Sequence, residues 1–314
     1  MLNRARASAV LFGGAALLLS ASRGRTQATA TIRVATLPIE SAAEVFYAKD
    51  MGFFAKAGLD AEIQTMQNGA SMVAAATSNA IEIGYSPLDV LATIHSRQVP
   101  VVVIAPANEY ITGIKNAALV LAANSQIRSA KDFNGKTIGV AALHSLSENA
   151  PRAWIDRNGG DSSTVKFVEV PFPTMPAALD AGRVDAAWVA EPFLSAATKN
   201  GRAIEYGFDA IAKRLLIGAY FTMAQWAADH RDLVTRFASV IHETAVWANK
   251  PENQAQSAQI VGKYTRLDPA VIASMVRSRY AEALTPASLQ PLIDVSAKYN
   301  GFAAFPAQEL LYKA

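Results

Sequence analysis

The sequence predicts an α/β protein built from two units, each a mostly parallel sheet flanked by helices. Three observations predict it. From residue 31 to residue 105, short β-branched runs alternate with longer stretches of helical periodicity, which is the rhythm of βαβ units. The same plan restarts near residue 118. After residue 230 the strand-like runs stop and apolar stripes at helical spacing take over.

The elements follow in order. Thr31–Thr36 (TIRVAT) is short and β-branched, a strand. Over Ala42–Ala57 the residues Val45, Phe46, Ala48 and Met51 share one face, which predicts a single helix with Gly52 beginning its exit. Leu59–Met66 alternates like a strand. Ser71–Ser78 is a helix of small residues, Ile81–Tyr85 a strand, Leu88–His95 a helix and Val99–Ala105 a buried strand.

In the second unit Ala118–Ala123, Thr137–Val140, Val165–Val170, Ala186–Val189 and Ala203–Tyr206 read as strands. Ser147–Asn158, Thr174–Ala181 and Pro192–Asn200 read as helices. Ile217–Gln225 is extended and apolar. Arg231–Asn249 then places Val234, Phe237, Val240, Ile241, Thr244 and Ala248 on one stripe. Asn253–Tyr264, Pro269–Glu282 and Ser288–Tyr299 complete the helical end. Asp268 is placed to cap the second of these, with Pro269 in its first turn.

The N-terminus carries a different signal. Arg4 and Arg6 precede the uncharged run Ser8–Ser22, and Ala28-Thr29-Ala30 offers small residues for cleavage. This is the order of an export signal. The run is short of the ~20 residues of a spanning helix, and no Arg-Arg pair is present, which points to the Sec route. Residues 1–30 are therefore read as a signal peptide. The formal net charge of +3 then changes meaning. Losing Arg4, Arg6, Arg23 and Arg25, and no acid, leaves −1. The basic balance belongs to the leader, and the case for a nucleic-acid partner goes with it. With no cysteine there is no disulfide, no thiol nucleophile and no lipid-anchored N-terminal Cys. At 51% hydrophobic and 18% charged, the chain is not a disordered one.

Four segments carry a resemblance: AKDMGFFAKAGLD at 48–60, NGASMVAAATSNAIEIGY at 68–85, SAKDFNGKTIGV at 129–140 and AALDAGRVDAAWVAEPF at 177–193. In this order they resemble the type II periplasmic solute-binding proteins, more narrowly those that bind sulfonates, taurine, nitrate and thiamine-pyrimidine precursors for ABC importers. Asn79 stands where that pattern has Gly, and Glu82 where it has Asp. The resemblance implies two lobes with a hinged cleft between them. The first would hold residues 31–116 and 217–314, with the C-terminal helices packed on it, and the second residues 117–216. It also implies a soluble periplasmic monomer that works with an inner-membrane permease and needs no cofactor or metal.

In such sheets ligands bind beyond the carboxyl ends of the strands. The loops there supply the candidates: Pro38, Ile39 and Glu40; Gln67, Asn68 and Ser71; Ser86 and Pro87; Asn108; His144, Ser145, Leu146 and Ser147; Phe172; Glu191; and Tyr220 on the returning strand. The 144–147 loop opens a helix, where free N–H groups suit an anion. Capping by Ser145 or Ser147 is the other reading. Gln67, Asn68 and Ser71 divide the same way between ligand contact and turn chemistry. Glu191 is read as an acceptor for a ligand amine or as a salt-bridge or hinge lock, and Tyr220 and Phe172 as ligand wall or as core. No Arg or Lys lies in these loops, which argues against doubly charged anions. The aromatic residues favour an organic ligand with a flat or apolar part over bare nitrate.

Enzyme signatures are missing. The four histidines have no metal-ligand spacing, and there is no G-x-S-x-G, P-loop or G-x-G-x-x-G. The remaining alternatives are a thiamine-pyrimidine synthase-like or menaquinone-pathway-like enzyme on the same fold, and a periplasmic sensor subunit.

Overall fold

The computed structural model describes residues 29–313. The export signal therefore lies almost wholly outside the described residues. In chain order the first elements are β1 (Ala30–Thr36), α1 (Glu44–Asp50), α2 (Phe53–Lys56), β2 (Leu59–Thr65), α3 (Gly69–Thr77), β3 (Ile83–Pro87), α4 (Leu88–Ser96), β4 (Val101–Pro106) and β5 (Asn108–Ile111). Next come β6 (Ala117–Leu121), β7 (Thr137–Val140), α5 (Leu146–Arg157), β8 (Lys166–Glu169), α6 (Met175–Asp180), β9 (Ala186–Ala190), α7 (Phe193–Ala197) and β10 (Arg202–Tyr206). The chain closes with β11 (Arg214–Leu216), β12 (Gly218–Met223), α8 (Ala224–Asp229), α9 (Arg231–Ala248), α10 (Gln254–Thr265), α11 (Pro269–Ser274), β13 (Arg279–Tyr280) and α12 (Pro286–Asn300).

Two five-stranded sheets share one plan. The first runs β2-β1-β3-β12-β4 and the second β8-β7-β9-β6-β10. In the first, β1 pairs parallel with β2 and β3, while β12 lies antiparallel between β3 and β4. In the second, β7 pairs parallel with β8 and β9, while β6 lies antiparallel between β9 and β10. The second sheet is built from one continuous stretch, β6 to β10, whereas the first sheet receives β12 only after that stretch is complete. A small antiparallel sheet, β11-β5-β13, stands where the chain passes between them.

Strand β6 explains how the second sheet is buried. Its residues alternate: Leu119 and Leu121 join the main core, which continues into the first sheet, and Ala118 and Val120 join a separate cluster with Leu179, Val189 and Leu194. A strand covered on both faces reads as a continuous apolar run. The C-terminal helices pack on the first sheet's helices, α9 and α10 against α1 and α12 against α4. Helix α12 also reaches α5, where Tyr299 Oη donates to Asp156 Oδ2 at 2.8 Å. The expected two-unit α/β plan is what the structure holds, but the sheets are mixed and not mostly parallel, because β12 and β6 enter them antiparallel.

Local expectations fail where side chains or backbone strain intervene. The helix expected over 42–57 is two helices, because Gly52 takes φ 74° and breaks the ladder, a conformation that suits glycine. The helix expected over 269–282 stops at Ser274. Beyond it, the Ser278 N–H donates to Glu40, and Arg279–Tyr280 pair with β5. Residues 108–110, read as a loop, form β5. Asn79 sits at φ 57°, the left-handed region that a Gly fills freely and Asn tolerates. Glu82 forms an ion pair with Arg33 on β1.

Candidate functional site

A cavity of about 460 Å³ lies between the two sheets. Its walls come from the carboxyl ends of strands on both sides. Pro38, Ile39 and Glu40 follow β1, Phe172 follows β8, and Glu191 and Phe193 follow β9. Asn108 and Ile217 line it where the chain crosses between sheets, and Leu267 and Val276 close it from the helical end. A larger groove of about 590 Å³ runs between α5 and α12, rimmed by Asp156, Arg157 and Lys298. That groove is shallower and lies away from the strand ends.

Of the sequence candidates, the cavity brings together Pro38, Ile39, Glu40, Asn108, Phe172 and Glu191. Each is held by a definable contact or left exposed for one. Ile39 is an exposed large apolar residue. Glu40 accepts from Arg277 Nε at 3.0 Å and from the Ser278 N–H at 3.2 Å. Asn108 Oδ1 accepts from Tyr85 Oη at 2.9 Å, which orients the amide and leaves its –NH2 as the donor on that wall. Glu191 accepts from Ser195 Oγ at 2.8 Å and from the Ser195 N–H at 3.2 Å. The carboxylate thus caps the first turn of α7 and forms no ion pair among the described residues.

The other candidates stand elsewhere. Gln67, Asn68 and Ser71 are exposed, and Asn68 caps α3 by accepting from the Ser71 N–H at 2.8 Å. Ser86 is fully buried, its Oγ directed to the Pro87 carbonyl at 3.2 Å. Tyr220 is fully buried between Tyr85 and Phe237, so it belongs to the core beneath the cavity, not to its wall.

The 144–147 loop turns inward on itself. Ser145 caps α5, taking the Ser147 N–H at 3.2 Å, and its hydroxyl lies 2.7 Å from that of Ser147. Three further backbone donors of this loop go to carboxylates. Leu143 N–H reaches Glu169 at 3.0 Å, His144 N–H reaches Glu148 at 2.7 Å, and Leu146 N–H reaches Asp89 Oδ2 at 2.6 Å. Asp89 belongs to α4 on the other sheet's side, 2% exposed. Burial pushes its carboxyl above the ordinary range, against the pull of the Leu146 and Val90 N–H groups, which favour the ionised form. The sequence reading passed over Asp89. The signal was there, an acid in the first turn of an otherwise apolar helix. Arg277 was missed because its segment read as helix.

Beneath the cavity, Glu44 and Tyr220 are fully buried. Glu44 forms no ion pair among the described residues, and desolvation raises its carboxyl well above the usual range against the opposing pull of the neighbouring Tyr220 hydroxyl.

Two mixed-sheet α/β units facing one cavity across a pair of crossing strands define the two-lobed binding-protein architecture. The profile of the family described as NMT1/THI5 like matches residues 40–255, and the chain belongs to that family. A taurine-binding periplasmic protein of Escherichia coli strain K12 is 25% identical over 228 residues, 68% of each chain. The crystal structure of the periplasmic aliphatic sulphonate binding protein SsuA from Escherichia coli superimposes with a TM-score of 0.74 at 16% identity, covering 90% of this chain and 92% of that one. The desulfurization enzyme DSZB superimposes with a TM-score of 0.64 at 11% identity, covering 89% and 96%. Those structural likenesses show the fold, and the fold alone does not separate binder from enzyme. The relative matched by sequence is a binding protein. No helix among the described residues is long and apolar enough to cross a membrane.

Proposed function

We propose that the chain is the periplasmic solute-binding subunit of an ABC importer. It captures a small organic solute between its lobes, and the closed form docks on an inner-membrane permease. In this reading residues 1–30 are removed on export, residues 31–116 and 217–314 form one lobe, and residues 117–216 form the other. The protein works as a monomer. Pro38, Ile39, Glu40, Asn108, Phe172 and Glu191 touch the solute.

The observation that carries this is the position of the cavity. It is bounded by the carboxyl ends of strands from both sheets, so hinge motion at the crossing strands opens and closes it. A solute that contacts both walls favours the closed form by its differential affinity. The taurine-binding relative supports transport over catalysis.

The test is a thermal-shift screen of the exported form against sulfonates, taurine, nitrate, pyrimidines and aromatic carboxylates. A solute at 100 times its Kd adds about 2.7 kcal/mol. Turnover of any of these compounds, with no stabilisation by any, would sink the transport reading.

A further inference from the structure

The charge around the cavity is one-sided. Two carboxylates line it, Glu40 and Glu191, and no Lys or Arg does. Arg277, between the lining residues Val276 and Ser278, is consumed by Glu40, Tyr47 Oη and Ser257 Oγ, and Arg266, between Thr265 and Leu267, is exposed and not part of the lining. Glu191 has only the neutral donors of Ser195. A ligand in the cavity therefore meets an uncompensated negative charge.

The helix start where an anion would otherwise be held is already largely occupied by carboxylates. The N–H groups of Leu143, His144 and Leu146 end on Glu169, Glu148 and Asp89. The contact from Asp89 adjoins the cavity: the N–H of Leu88, its neighbour, donates to the carbonyl of Ile217, which lines the wall. A nest of N–H groups attracts anions, and here the chain supplies three of its own. A further anion would sit among three carboxylates at this loop, or against Glu191 in the cavity.

The remaining wall is apolar and aromatic. Phe172, Phe193 and Phe208 face the space, with Ile39, Leu267 and Val276. Such surfaces take flat rings, and the Glu191 carboxylate accepts from an N–H at their edge.

Resting on the binding-protein reading, we infer that the solute is a flat, mostly apolar organic molecule bearing an N–H donor and no negative charge. It meets Glu191 through that donor, and the Asn108 amide lines the same cavity. Sulfonates and nitrate are excluded by charge, although relatives of this chain are named for sulfonate and taurine.

The test compares ligands that share a ring and differ in charge. Benzamidine and benzenesulfonate are titrated by calorimetry into the exported protein, with taurine alongside. Benzamidine is expected to bind at least about tenfold more tightly than benzenesulfonate, and Glu191→Gln is expected to bring the two affinities together. Benzenesulfonate or taurine binding as tightly as benzamidine overturns the inference and leaves the receptor reading standing. An affinity ratio unchanged in Glu191→Gln overturns the assignment of the donor to that carboxylate. If benzamidine does not bind at millimolar concentration, the ligand class is wrong, and the receptor reading then rests on the broader solute screen.

Discussion

Arg277 Nε donates to Glu40 Oε1 at 3.0 Å and ties the segment after α11 to the loop after β1. The two side chains are 13% and 7% exposed. Removing one partner from such a pair strands the other charge out of water. Arg277→Ala is therefore expected to lose about 3–5 kcal/mol of stability, read from urea unfolding. Arg277→Lys is expected to recover part of that loss, since it keeps the charge but not the fork to Tyr47 and Ser257. A loss within experimental error would mean that the pair is solvated in solution.

Asp89 acts across the interface between the two sheets. Asp89→Ala leaves the Leu146 N–H without its acceptor, and an unmade buried hydrogen bond costs about 1–3 kcal/mol. The cost should appear in the unliganded protein, since the contact needs no solute. Hydrogen exchange at the start of α5 is expected to speed up in the variant. Unchanged exchange there would show that Asp89 does not hold α5 in solution.

Glu44 gives the protein a pH dependence. Its carboxyl is raised in the folded state by burial. The stability it allows is complete below the ordinary carboxylate range and is lost as pH rises toward the raised value, because ionisation there must occur out of water. Glu44→Gln mimics the neutral form. The variant and the parent should match at low pH, and the variant should be the more stable above neutrality. A difference that does not change with pH would rule out this origin.

Gly218 protects the cavity wall by having no side chain. A Cβ there would overlap Tyr85 Oη and come within 2.6 Å of Asn108 Oδ1. Gly218→Ala is expected to cost about 1–3 kcal/mol through overpacking and to weaken solute binding by turning the Asn108 amide. Asn108→Asp supplies the control for chemistry without the clash. Retained affinity in Gly218→Ala would remove Asn108 from the site.

Phe172 is half-buried at the cavity and close to a chain turn. Phe172→Ala should leave the melting temperature nearly unchanged and lower benzamidine affinity about three- to tenfold, the worth of one aromatic contact. A large fall in stability instead would place Phe172 in the core.

The pattern of the sequence carried the architecture and part of the site. Strand and helix periods depend on local burial, so β7 at Thr137–Val140 was legible to the residue. What was not legible depends on partners distant in the chain. Pro269–Glu282 has helical composition, but Glu40, more than 230 positions earlier, draws its second half out of the helix. The loops after β1, β4, β8 and β9 pointed to six residues that line the cavity, because topology alone places those loops at the strand ends. The 144–147 loop had the right residues for an anion site. Whether its donors were free depended on Asp89, Glu148 and Glu169, and only the last steps of folding bring two of those to it.

The late return of β12 constrains the order in which the chain can be assembled. A ribosome that has delivered residues 30–106 has made β1, β2, β3 and β4, but the strand that belongs between β3 and β4 emerges only at Gly218. Until then two inner edges stand open, and Tyr85 waits for Tyr220. The first half cannot be finished before the second has been made in full. Chains cut before residue 218 should remain edge-exposed and prone to aggregate, so these two halves, similar as they are in plan, stand or fall as one folding unit.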